Sequence, residues 1–219
     1  MRTRGPCATC WAGKNTRNHS GTMHKGRLEA FSDGVLAIII TIMVLELRAP
    51  HGAGVSALGP LMPIFFSYVL SFVYIGIYWN NHHHMFQATN RVGGAVLWAN
   101  LHLLFWLSLF PFVTDWMGEN HFAAVPTALY GVILFMAAIA YFILQTVIIA
   151  QNGGGSLLAR AVGRDLKGKI SPILYAIAIG CAFMSVVVAQ LLYVCVALIW
   201  LVPDKRIERT LAERASADG

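Results

Sequence analysis

Two groups of residues in this chain have the types and spacing to do chemistry. The first is Arg27-Leu28-Glu29-Ala30-Phe31-Ser32-Asp33-Gly34, where a carboxylate stands at the start of a long apolar run. The second is Trp79-Asn80-Asn81-His82-His83-His84, a cluster of donors and acceptors that closes another such run. An ionisable side chain just inside an apolar span needs a partner, and it serves as a structural lock or as a proton relay. As an N-cap pair, Ser32 and Asp33 would simply suit a helix amino terminus. Against that, Leu28 to Phe31 already reads as helix, and Asp33 lies about 240° around from Arg27 at 100° per residue. The two cannot pair on one face, so each needs a group from another helix, and the end of the second run is the obvious source. Three adjacent histidines also suggest a metal, but neighbours on a helix point about 100° apart and do not converge on one ion. Cys7-x-x-Cys10, with His19 and His24 following, has zinc-ligand residue types. The gap from Cys10 to His19 is shorter than the usual twelve or so residues, and no strand or helix pattern accompanies it. Neither a metal nor a cofactor is expected.

The elements that position these groups follow from composition. Of 219 residues only 12% are charged and 57% are hydrophobic, against about 25% charged in an ordinary soluble domain. Water is not the main solvent of such a chain. The net charge of +6 does not point to nucleic acid, because the basic residues sit in short clusters between apolar runs and form no stripe with interleaved aromatics. Cys181 and Cys195 lie inside apolar runs and behave as small hydrophobes, so no disulfide framework is implied.

Apolar runs of membrane-spanning length cover about 28–47, 58–79, 92–116 and 123–149, and a continuous stretch covers 170–202. That last stretch is too long for one tilted span and suits two short ones joined by a turn, placed here near Ser185 to Gln190. One long span with an interfacial helix is the alternative, and charge distinguishes them. With six spans, all 16 Lys and Arg residues except Arg48 fall on the side of the termini. This asymmetry is the positive-inside pattern and places both termini in the cytoplasm. Trp79, Trp116 and Trp200 near span ends suit interfacial anchoring. The expectation is an all-α, polytopic membrane protein with six transmembrane helices per subunit: residues 1–22 a disordered extension or a stretch upstream of a true start at Met23, 23–204 the transmembrane domain, and 205–219 a basic cytoplasmic tail.

Arg27-x-x-x-Phe31-Ser32-Asp33-Gly34, then Ala37-Ile38 and Thr41, with Tyr78-Trp79 before His82-His83, resembles the prokaryotic branch of the transmembrane protein 175 family of potassium channels. The resemblance runs over about residues 23–210 and includes Asn100-Leu101 to Pro111-Phe112 and Pro203-Asp204-Lys205-Arg206. It implies a homotetramer in the cell membrane, with four copies of the first helix around a central pore that K+ crosses, and no separate selectivity loop. It also implies a structural network of Arg27, Phe31, Ser32 and Asp33 with Trp79, Asn81, His82 and His83 as partners. The matching constriction residues are Ile38, Ile42 and Leu45. Helical geometry allows this independently, since the three fall on one stripe over about 10 Å of rise, with Thr41 beside them and Asp33 about 140° away from Ile38. Taken without the motif, such a stripe is equally a lipid-facing or packing surface.

The leading function is therefore passive, potassium-permeable cation conduction through a hydrophobic constriction. The alternative is a proton-coupled transporter with Asp33 and His82–His84 as relay groups, although internal repeats and broken helices, frequent in transporters, are not detected. An enzyme is not expected: no second cluster of His, Asp or Glu stands in the spans, and interhelical hydrogen bonding accounts for Asn100 and His102.

Overall fold

The computed structural model describes residues 25–89, 91–154, 156, 158–159 and 166–201. The expectations for Cys7, Cys10, His19 and His24, for Arg160 and Arg164, and for the tail from Lys205 lie outside these residues.

Every long element is helical. Helix α1 is Lys25–Leu45, and a 3-10 helix at Val55–Leu61 leads into α2, Met62–Gln87. Then come α3 (Gly94–Ser108), α4 (Phe110–Glu119), α5 (Ala124–Asn152), α6 (Leu166–Cys181) and α7 (Val186–Leu201). Four helical stretches, 25–45, 55–87, 94–119 and 124–152, are long and apolar enough to cross a membrane. With the paired 16-residue helices α6 and α7, each about 24 Å long, the described residues form six apolar helical stretches.

Local sequence explains the joints. Pro63 sits in the first turn of α2, where its missing N–H is no loss. Pro111 cannot donate back to Leu107, and the third stretch breaks there into α3 and α4 instead of running on as one helix. Gly153, at φ 87°, caps α5 in a conformation that strains other residues. The second stretch also differs from its expected end: α2 continues to Gln87, so Trp79 and the three histidines lie within the helix. The turn of the last stretch falls at 182–185 rather than near 185–190. There Ser185 N–H bonds back to the Cys181 carbonyl at 2.7 Å, closing α6.

The core forms where α2, α4, α5, α6 and α7 meet. Tyr74, Phe110, Tyr130, Tyr175 and Tyr193 pack ring against ring, with centroids between 5.7 and 6.5 Å apart, the spacing aromatic pairs favour. Their hydroxyls find partners inside: Tyr74 donates to the Tyr193 carbonyl at 2.6 Å, and Tyr193 donates to the Thr127 carbonyl at 3.1 Å. Ser71 joins Thr114 at 2.7 Å and Tyr130 at 3.1 Å. With no water in the bilayer core, these internal bonds are what make buried hydroxyls tolerable. Helix α1 packs against α2, α3 and α4 on one side of this body.

Candidate functional site

Helix α1 has two faces of opposite character. Leu28, Ser32, Leu36, Ile39 and Met43 recur every three or four residues and are buried against the rest of the subunit. Ile38, Ile42 and Leu45 stand on the other side, 58%, 41% and 76% exposed, against 2% for Leu36. Thr41 is exposed beside them, and its hydroxyl donates to the Ile38 carbonyl at 2.8 Å. Its hydrogen is thereby engaged within the helix, leaving oxygen lone pairs to face outward. The three aliphatic residues and Thr41 thus share a surface on which this subunit places nothing of its own.

The buried face is held by a chain of hydrogen bonds with one direction. His82 on α2 bonds through Nε2 to Asn100 Oδ1 at 2.8 Å, and since an amide oxygen only accepts, Nε2 carries the proton. Asn100 on α3 then donates through Nδ2 to Ser32 Oγ at 2.9 Å, and Ser32 donates to the Leu28 carbonyl at 2.9 Å. Ser32, His82 and Asn100 are all buried. Each donor has an acceptor, and three helices meet in one polar seam surrounded by apolar side chains.

A second tie lies on the exposed rim. Trp79 donates its indole N–H to Asp33 Oδ1 at 3.1 Å, so the carboxylate is met by α2. His83 stacks on Trp79, with centroids 6.0 Å apart and planes 17° from parallel, and accepts from Gln87 at 2.7 Å. Lys25 Nζ bonds the Gln87 carbonyl at 3.3 Å, placing a cation at the negative end of α2.

The structure therefore brings Ser32, Asp33, Trp79, His82 and His83 to the contact between α1 and α2. It does not bring Asn81 there: its amide donates to the Ile77 carbonyl at 2.8 Å, and its own carbonyl accepts from Tyr141 on α5 at 3.4 Å. Arg27 and Phe31 are exposed and line a groove with Leu28, Leu97, Trp98 and Leu101, and Arg27 has no ion pair among the described residues. Asn100, which the expected network lacks, is the link between His82 and Ser32. Its signal was a lone strongly polar amide inside an otherwise apolar run. His82 and His83 turn to different partners, and among the described residues no three His, Cys, Asp or Glu side chains gather as metal ligands do.

A family model described as endosomal/lysosomal potassium channel TMEM175 matches residues 27–111. A potassium channel of Chryseobacterium sp. (strain P1-3) is 57% identical over 191 residues, which cover 87% of this chain and all of the relative. This chain belongs to the TMEM175 family. A second relative in the family, a potassium channel of Chamaesiphon minutus, is 32% identical over 74% of this chain and 85% of its own length. The crystal structure of a lysosomal potassium-selective channel TMEM175 homolog from Chamaesiphon minutus superposes with a TM-score of 0.73 at 29% identity, covering 82% of this chain and 97% of that one. The matched segment 27–111 carries every member of the polar seam and the α1 stripe. With its apolar helices, the family membership makes this a multi-pass membrane protein.

Proposed function

We propose that this chain is a subunit of a potassium-permeable channel in which copies of α1, four by the family resemblance, surround a pore constricted by Ile38, Ile42 and Leu45. The observation that carries the reading is the division of α1: one face is fastened by buried hydrogen bonds, and the face opposite bears an aliphatic stripe that the subunit leaves bare. Relatives with the same helices are named potassium channels, which supports the same cargo here. In this reading the protein sits in the cell membrane with both termini in the cytoplasm, an orientation that the one-sided distribution of Lys and Arg over six spans supports.

An ion passing a ring of aliphatic side chains receives no substitute for its hydration shell. The ring must stay wide enough to keep some water, or it dewets and closes. Potassium sheds water more readily than sodium, so a narrow apolar ring favours it through unequal dehydration, with outward lone pairs of Thr41 offering partial replacement. Conduction is passive. The network of Ser32, Asp33, Trp79, His82 and Asn100 works as a brace that fixes the rotation of α1. Glu46, just beyond the end of α1, adds negative character that raises the local cation concentration.

The test is flux from purified protein in liposomes, with a potassium gradient and then a sodium gradient, for the native chain and Ile38→Asn. A polar amide at the constriction wets it, so the expected result is larger flux with a smaller preference for potassium. An unchanged potassium-to-sodium ratio in the variant would sink the pore assignment.

A further inference from the structure

Away from α1, helices α2, α5, α6 and α7 line a crevice, partly open to the surface, in which about 40 Å³ is available to the centre of a water molecule. It is a narrow space. Along α5 its wall runs from Ala138 to Gln145, a rise of about 10 Å. The wall is aromatic, with Tyr74, Tyr78, Tyr175 and Trp200 among its members, and none of its described lining residues is charged. Polar groups collect at the end where α5 and α7 finish and α6 begins. Trp200 N–H is taken there by Ser171 Oγ at 2.7 Å, and the Asn81 amide is engaged within α2. Gln145 is different. It is 7% exposed, belongs to the cavity wall, and its amide makes no hydrogen bond among the described residues. Its amide is not among the sealed polar atoms that lack a partner, so it faces the crevice, where an occupant can hydrogen-bond to it.

We propose that this cavity binds the single unbranched alkyl chain of a membrane amphiphile whose small uncharged head, a primary alcohol or amide, hydrogen-bonds to Gln145. The narrowness excludes fused rings and branched chains. With no charged group among the described lining residues, a phosphate or ammonium head is expensive to desolvate. The Gln145 amide both donates and accepts, which matches a hydroxyl or an amide. Phe142, half exposed on the wall, marks where the chain enters from the surface. The inference does not rest on the channel reading, since none of these residues belongs to α1.

The experiment uses the full chain in liposomes with a long-chain primary alcohol carrying a photoreactive diazirine on its alkyl chain, followed by mapping of labelled residues by mass spectrometry. Label should concentrate on the cavity wall above the level at the exposed residues Phe65 and Phe66. Gln145→Leu should lower wall labelling roughly fivefold, as loss of one hydrogen bond implies, with surface labelling unchanged as evidence of folding. Ala138→Phe, which fills the cavity, should abolish wall labelling. A matched carboxylate probe is the second arm, because Lys167 and Lys169 flank the lining residue Gly168; stronger wall labelling by it would overturn the uncharged head. Label no denser on the wall than at Phe65, as when the cavity holds water only, or wall labelling untouched by Gln145→Leu, would overturn the site.

Discussion

Asn100 reaches Ser32 across the α1–α3 contact at 2.9 Å, and both side chains are fully buried. Replacing Asn100 with Leu strands the His82 Nε2–H and removes the donor to Ser32. Interhelical hydrogen bonds in membrane proteins average about 0.6 kcal/mol with a maximum near 1.7, so a loss of about 1–2 kcal/mol is expected for the two together. It should register as a lower thermal midpoint in detergent. Ser32→Ala combined with Asn100→Leu should cost less than the two single losses added, because both cut the same chain. Strict additivity would mean that the seam does not act as a unit.

On the channel reading, the exposed face of α1 meets the water of the pore and the buried face does not. In a background without the native cysteines, Cys placed at Leu45, Thr41 or Ile38 should react with a water-soluble thiol reagent in the assembled channel, with Leu45 at the helix end reacting fastest. Cys at Leu36, Ile39 or Met43 should stay inert, since those side chains are buried within the subunit. Equal rates on both faces would mean that α1 is rotated from the orientation described.

Close helix contacts make three glycines a graded test. A Cβ on Gly118 would stand 2.7 Å from Ile64 Cα and 2.6 Å from Ser67 Oγ, where backbone must move. A Cβ on Gly131 would collide with the Tyr193 hydroxyl, which bonds the Thr127 carbonyl and has little freedom. Ala at either position should destabilise by about 1–3 kcal/mol, the usual penalty of overpacking. Gly180→Ala meets nothing within 4 Å and should leave the midpoint unchanged or slightly higher. Thermal unfolding of the three variants side by side checks the ranking.

Trp79→Phe keeps a ring to stack on His83 and removes the donor to Asp33. Because both partners are exposed, the stability change should stay below about 1 kcal/mol. On the channel reading, the larger effect is on flux: α1 loses one of its two ties to α2, and the potassium preference should fall in the liposome measurement. A variant with unaltered preference would assign the tie to stability alone.

Much of this architecture was legible because membrane helices announce themselves by run length and charge asymmetry. The ends of those runs were less so. Apolar character stops where lipid stops, whereas backbone hydrogen bonding continues, and α2 therefore carries Trp79 to Gln87 as helix beyond the expected end. The turn at 182–185 is built from Ala182, Phe183, Met184 and Ser185, with no Pro or Gly to mark it, and only the bond geometry reveals it. The proline marks the break before Pro111, but hydrophobicity continues across it and the run length alone does not show it. In the site, Asp33 and Trp79 could be paired from the need of a carboxylate for a donor. Asn100 could not be assigned to Ser32 from spacing, because their meeting depends on how α3 lies across α1. Asn81 shows the reverse: adjacency to His82 suggested a shared role, but one residue is 100° of rotation, and that turns it to α5.

The division of α1 has a consequence for how relatives diverge. Positions 28, 32, 36, 39 and 43 are tied to the packing of the subunit, whereas what the surface at 38, 41, 42 and 45 presents can change without disturbing that packing. A library randomised at the second set should yield folded protein throughout, and one randomised at the first should not. Descendants of a single ancestor are thus free to change the character of the exposed stripe in small steps without first acquiring compensating changes in the body of the protein.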